Sequence, residues 1–185
     1  MFSDRNQGDW YAFRVRPRHE KTASAQLKEK GYTEFLPLIR EQRKWGSRRA
    51  IVDAPLFPGY IFCQAQRSTL YPILNLPAVV DVVRAGSQPL PAAREEVDAL
   101  KRAIDASLLM EPWSYTEVGQ PVCITSGPLA GLTGIVVEVR QAQRLVLSVS
   151  LLRRSVLVEV DRDSIAKTGT ATGLLAYRQA AGAPR

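Results

Sequence analysis

Apolar and polar positions change their rhythm along this chain of 185 residues, and the changes mark its elements. Residues 10–15, Trp-Tyr-Ala-Phe-Arg-Val, are aromatic and β-branched and stop short of Pro17, as a strand does. Residues 20–30 predict a helix. Ala23 and Leu27 share a face, Glu20 stands in the first turn, Lys28 and Lys30 stand in the last, and Gly31 sits where a left-handed cap is wanted. Residues 33–39 predict a second strand, placed at an edge or bulge by Pro37. Residues 40–49 are polar and basic, with Gly46-Ser47 as their tip and apolar runs on either side, which predicts a β-hairpin with a long charged end. Residues 56–64 predict the next strand, entered through Pro58-Gly59. Ser68 is placed to cap a short helix running to about Leu76, with Pro72 tolerated in its first turn. Residues 79–84 read as a buried strand. Residues 92–106 predict a helix, with Val97, Leu100 and Ile104 on one face, acids leading and Lys101 and Arg102 following. The order β-α-β-β-β-α-β-α predicts an α+β domain, a mixed β-sheet flanked by helices.

After that helix the pattern breaks. Residues 107–116 contain Pro112, lack periodicity and read as a linker. From residue 117 the helical signals stop. Short apolar runs at 121–125, 134–139, 145–150 and 156–160 alternate with turn signals, the spacing of a small β-barrel. The expected organisation is therefore a disordered N-terminus at 1–9, a first domain at 10–106, a linker at 107–116, a barrel at 117–165 and a flexible tail at 166–185.

Charge sharpens this picture. The net charge is +7, but residues 1–50 hold 12 basic against 6 acidic side chains, while 51–106 and 107–165 each hold 5 against 6. Basic charge gathered at one end points to a face that meets phosphates, although a merely solvated face has the same composition. No stretch approaches the roughly 18 apolar residues of a membrane helix, and the polar start is unlike a secretory signal, so a cytoplasmic location without membrane contact is expected. Cys63 and Cys123 lack the close spacing of a metal site and read as reduced core residues. His19, the single histidine, has Arg18 and Glu20 as neighbours and no nucleophile beside it. Gly127, Gly131 and Gly134 read as turn glycines, because the run lacks the Lys-Ser/Thr ending of a phosphate loop. The chain is expected to be no enzyme and to need neither cofactor nor metal.

Two segments carry a family resemblance. Trp10-Tyr11 is followed downstream by Pro55-Leu56-Phe57-Pro58-Gly59-Tyr60-Ile61-Phe62. Later, Val118-Gly119-Gln120-Pro121-Val122-Cys123-Ile124 precedes Gly127-Pro128-Leu129-Ala130-Gly131-Leu132-Thr133-Gly134-Ile135-Val136. The first resembles the NGN domain of the NusG family of transcription factors, and the second resembles its KOW motif. Together they cover roughly residues 10–165. The resemblance implies a ferredoxin-like sandwich followed by a small SH3-like barrel. It also implies a monomeric adaptor that binds the clamp helices of the largest RNA polymerase subunit and suppresses pausing and termination.

By the same resemblance, Trp10, Tyr11, Phe57, Pro58, Tyr60 and Phe62 are expected at the polymerase. Their aromatic rings could equally build the core. The basic tip Arg43, Lys44, Trp45, Arg48 and Arg49, extended by Arg16 and Arg18, is expected near the non-template DNA strand. Cations there would pair with phosphates, and an exposed Trp could stack on a base. Leu151, Leu152, Arg153 and Arg154 match the barrel loop through which family members bind Rho or a ribosomal small-subunit protein. That loop typically reads Ile-Phe-Gly-Arg; here Leu152 replaces its aromatic and Arg153 its glycine, and Leu129 stands where a Phe is often found. These departures count against Rho binding, and the Pro-Leu-Phe-Pro stretch resembles specialised antiterminators such as RfaH. The Val-rich segment after Val136 favours a settled barrel over a helical form. The alternatives are a general NusG acting with Rho and a ribosome- or RNA-binding KOW protein.

Overall fold

The structure is a computed structural model that describes residues 8–46, 48–113, 120–139, 142–160 and 165–167. Residues 1–7 of the expected N-terminal tail, 114–116 of the linker and 168–185 of the C-terminal tail lie outside the described residues. The chain forms two compact units, residues 1–94 and 95–185.

The first unit is built around strand β1 (Asp9–Val15), which pairs with β5 (Tyr60–Ala65) on one side and β6 (Val79–Val82) on the other. Strand β2 (Glu34–Phe35) lies beyond β5. Helix α1 (Glu20–Glu29) joins β1 to β2, and helix α2 (Leu70–Leu74) joins β5 to β6. All these pairings are antiparallel, where the sequence pattern predicts a mixed sheet. Each helical connection crosses over one intervening strand, so the parallel partners β1 and β2, like β5 and β6, never touch. This is the split β-α-β arrangement.

Both helices pack on one face. Ala23 and Leu27 of α1 and Leu70 and Ile73 of α2 join Tyr11, Phe13, Val15, Ile61, Cys63, Ala65, Val79 and Val82 in a single buried cluster. Val79 and Val82 are three residues apart and could not share a face in a regular strand. A register shift opposite Arg14 and Val15 brings both inward. Strand 79–84 is therefore less uniformly buried than its composition suggests. It ends at Val82, Val80 is exposed, and Arg84–Ala85 (β7) pairs instead with Gln88–Pro89 (β8). Strand β9 (Pro91–Ala92) adds to β1 beside Trp10.

Ser68 does not cap α2. It lies inside a 3-10 turn, Arg67–Thr69, and so lacks the extended backbone that a capping residue needs. The charged hairpin forms as the sequence predicts. Strands β3 (Leu38–Trp45) and β4 (Arg48–Pro55) pair along their whole length, from Leu38 opposite Pro55 to Trp45 opposite Arg48.

Helix α3 (Arg94–Asp105) falls in the second unit except for its first residue, whereas the sequence places it with the first domain. The second unit's sheet runs β10 (Met110–Trp113), β14 (Arg154–Glu159), β13 (Ala142–Val149), β12 (Thr133–Val139), β11 (Gln120–Ile124) and β15 (Ile165–Lys167). Its pairings are antiparallel. Val122, Ile124, Leu129, Leu147, Val149, Val156, Leu157 and Val158 are buried. Strand β10 occupies part of the expected linker. It is the end strand of the sheet, a position that accepts Pro112 opposite Val156. Gly127 and Gly131 adopt positive φ in a turn, as expected, but Gly134 lies within β12 opposite Val122 and makes no turn.

Candidate functional site

The Phe57-Pro58-Gly59-Tyr60 segment is a tight turn. The Tyr60 N–H donates to the Phe57 carbonyl at 3.1 Å, and Gly59 takes φ 84°. Proline second and a left-handed glycine third is the combination a type II turn requires. Three further bonds fix it. Val15 of β1 donates to the Gly59 carbonyl at 2.9 Å, and Leu56 donates to the Pro37 carbonyl at 2.8 Å. The Gly59 N–H donates to Oε1 of Glu20 at 2.8 Å. Glu20 is a buried carboxylate in the first turn of α1. Sequence reasoning assigned Glu20 only to the helix dipole, and nothing local links it to a residue 39 positions away.

The aromatic candidates divide by strand parity. Tyr11 faces the helices and belongs to the main core cluster. Burial, then the nearby Asp9, push its phenol pKa up, and Arg67 offsets part of that. Tyr11 therefore cannot share a surface with Trp10, because consecutive strand residues point to opposite faces. Trp10, Ala12 and Arg14 take the other face, opposite Gln64, Phe62 and Tyr60. There Phe62 is fully buried, with its ring 6.1 Å from Phe35 and 6.2 Å from Phe57, the latter edge-on at 76°. Phe57 is itself 2% exposed and Trp10 3%. Tyr60 is half-buried and Pro58 exposed. Arg14, exposed beside Tyr60 and opposite Asp81 of β6, belongs to the same face and was not singled out from sequence. Asp81 pairs with Arg84. Period-two alternation from Trp10 would have placed Arg14 there.

The basic candidates lie at one end of the sheet. Arg16 and Arg18 are exposed on the connection from β1 to α1, and Arg18 has φ 65°. The hairpin leaves from the same end, since its base at Pro37 and Leu56 adjoins the turn that holds Val15. Eight residues per strand carry its tip roughly 25 Å outward, so Arg16 and Arg18 stand near its root. Arg43, Lys44 and Arg49 are exposed. Arg43 is paired with Glu41 through Nε at 3.1 Å and Nη2 at 3.0 Å. Trp45 and Arg48 face each other in register, and their side chains lie outside the described residues.

In the second unit, Leu151 and Leu152 are half-buried in a 3-10 turn between β13 and β14. Arg153 is exposed with φ 49°, and Arg154, also exposed, begins β14. Arg153 thus holds the left-handed backbone for which glycine is the usual residue. Both cysteines are free. His19 is exposed, its Nδ1 2.9 Å from the Pro17 carbonyl. Among the described residues no group of three His, Cys, Asp or Glu could hold a metal, and no helix is long and apolar enough to cross a membrane.

A family model described as transcription termination factor nusG matches residues 8–101, just over half of the chain. The chain is similar to the transcription termination/antitermination protein NusG of Buchnera aphidicola, at 32% identity over 127 residues, covering 66% of this chain and 70% of that protein. The NusG protein of Halalkalibacterium halodurans is 26% identical over 164 residues, covering 85% of this chain and 92% of its own length. Among solved structures, one describing domain interaction in Thermotoga maritima NusG aligns with a TM-score of 0.52 at 20% identity, covering 88% of this chain and 98% of that one. That likeness shows a shared fold.

Proposed function

The chain belongs to the NusG family of transcription termination and antitermination factors, and from this premise we propose that it binds the clamp helices of RNA polymerase through the face around the Phe57–Tyr60 turn. The observation that carries the reading is a half-buried Tyr60 and an exposed Pro58 on a turn whose backbone is fixed by hydrogen bonds, next to the buried pair Phe57 and Phe62. A half-buried aromatic on a fixed backbone gives large contact area with few rotatable bonds to freeze. Trp10, Phe57 and Phe62 then support this surface from below, and Tyr11 belongs to the core behind it.

Bound in this way, the factor holds the clamp closed and suppresses pausing. A preference of about 1.4 kcal/mol for the unpaused state shifts that equilibrium tenfold. The hairpin reaches the unpaired non-template strand. The second unit is a KOW barrel of the SH3-like kind, and its loop at Leu151, Leu152, Arg153 and Arg154 recruits a partner. Leu152, Arg153 and Leu129 favour a specialised, RfaH-like antiterminator working in the cytoplasm. A second reading, a general factor acting with Rho or a ribosomal protein, is favoured by one observation: Arg153 retains the left-handed backbone of the glycine it replaces.

Phe57→Ala is a poor test, because emptying a buried aromatic site costs about 3–5 kcal/mol of stability. Tyr60→Ala is the better one. Affinity for assembled transcription complexes should fall at least tenfold, with unfolding free energy changed by less than about 1.5 kcal/mol. Undiminished co-migration with the polymerase would refute the assignment. Pause and termination assays with and without Rho separate the two readings.

A further inference from the structure

The register of the hairpin divides its charges between two faces that the sequence could not distinguish. Cross-strand partners share a face, and faces alternate along each strand. Arg40, Gln42 and Lys44 of β3 therefore lie on one face with Arg49, Ile51 and Asp53 of β4. Glu41 and Arg43 lie on the other with Ala50 and Val52, and the register puts positions Trp45 and Arg48 on that second face as well.

The two faces are chemically unlike. All six residues of the first are exposed, Ile51 by 70%. Its three cations, Arg40, Lys44 and Arg49, make no ion pair among the described residues. Asp53 opposite Arg40 is the only acid among these six. On the second face the Arg43 guanidinium is already matched by the Glu41 carboxylate at 3.0 Å, and Val52 is half-covered.

We propose that single-stranded nucleic acid runs along the first face, held by Arg40, Lys44 and Arg49, with Ile51 as an apolar rest between the cations, and that Arg43 takes no part. This rests on the nucleic-acid reading of the hairpin and changes its residues: Arg40 enters, and Arg43 leaves together with Trp45 and Arg48, whose register positions fall on its face. Lys44 and Arg49 sit side by side near the tip, and Arg40 stands about 13 Å toward the root. That places positive charge along the ribbon, as a polyphosphate backbone requires. Gln42 and Ile51, level with each other between them, offer a donor and an apolar surface to a sugar or base. An acidic protein surface is the competing occupant.

The test uses the full chain in assembled transcription complexes carrying photoreactive bases in the unpaired non-template strand. Replacing Arg40, Lys44 and Arg49 together by Ala should cut crosslinking and lower the slope of log yield against log salt by about 2, at roughly 0.7 per cation for a single strand. Co-migration with the polymerase should persist, and Arg43→Ala should leave both yield and slope unchanged. Loss with Arg43→Ala and none with the triple variant would overturn the choice of face while leaving nucleic-acid contact in place. Retained crosslinking in both, or transfer of the triple variant's defect to a polymerase protein crosslink, would overturn the nucleic-acid site itself. Failure of the unaltered chain to co-migrate would instead overturn the polymerase reading, and the inference with it.

Discussion

Cys63 illustrates how position sets chemistry at the scale of a residue. It is fully buried on the helix-facing side of β5, and burial, with Glu34 on the neighbouring strand adding to it, pushes its thiol pKa from 9.0 up to about 12. The unfolded chain ionises this thiol near 9 while the folded chain keeps it neutral. Its contribution to stability is therefore complete below pH 9 and is lost as pH rises toward 12, at about 1.4 kcal/mol per unit. Between pH 8 and pH 10.5 the unaltered protein should lose about 2 kcal/mol more stability in urea titrations than Cys63→Ala. Identical pH slopes for the two proteins would contradict this. The sequence reads Cys63 correctly as a core thiol. The size of its shift depends on packing that only the assembled sheet supplies.

At the scale of elements, the bond from Gly59 to Glu20 joins the start of α1 to the turn that presents Tyr60. Removing the carboxylate leaves a part-buried N–H without its acceptor, which costs about 1–3 kcal/mol. Glu20→Ala should lower stability by that amount and weaken polymerase binding. Glu20→Gln, which keeps an acceptor oxygen, should recover at least half of both losses. Denaturant midpoints and co-migration assays measure the two effects, and a Glu20→Ala protein as stable as its parent would remove the bond from the argument. The turn was legible because Pro-Gly is a local signal, and so was the hairpin, because Gly46-Ser47 separates two strand-like runs. Strand β10 was hidden, since Met110-Glu111-Pro112-Trp113 has no alternation and becomes a strand only when β14 offers its edge. The all-antiparallel order was hidden for a related reason: a β-α-β sequence looks the same whether or not the connection skips a strand.

For the whole molecule, two compact units mean two cores. Leu157 is fully buried in β14, and Leu157→Ala should destabilise the second unit by about 2–5 kcal/mol. Amide exchange in β13 and β14 should then quicken by at least thirtyfold, while amides of β1 and β5 change less than threefold. Matching acceleration in both units would show one cooperative structure instead.

The local pattern by itself determined most of the elements: the strand at Trp10, the helix carrying Ala23 and Leu27, the charged hairpin and the β-rich second half. Periodicity, turn residues and charge act over a few neighbours, so they survive without a fold. Tertiary structure alone decided that the Tyr11 face of β1 is the one that meets the helices, that Phe57 is buried, that Glu20 reaches Gly59, and that Arg43 rather than Arg40 is ion-paired among the described residues. Each of these depends on register or on contact between distant segments, and neither is encoded in the composition of any one stretch.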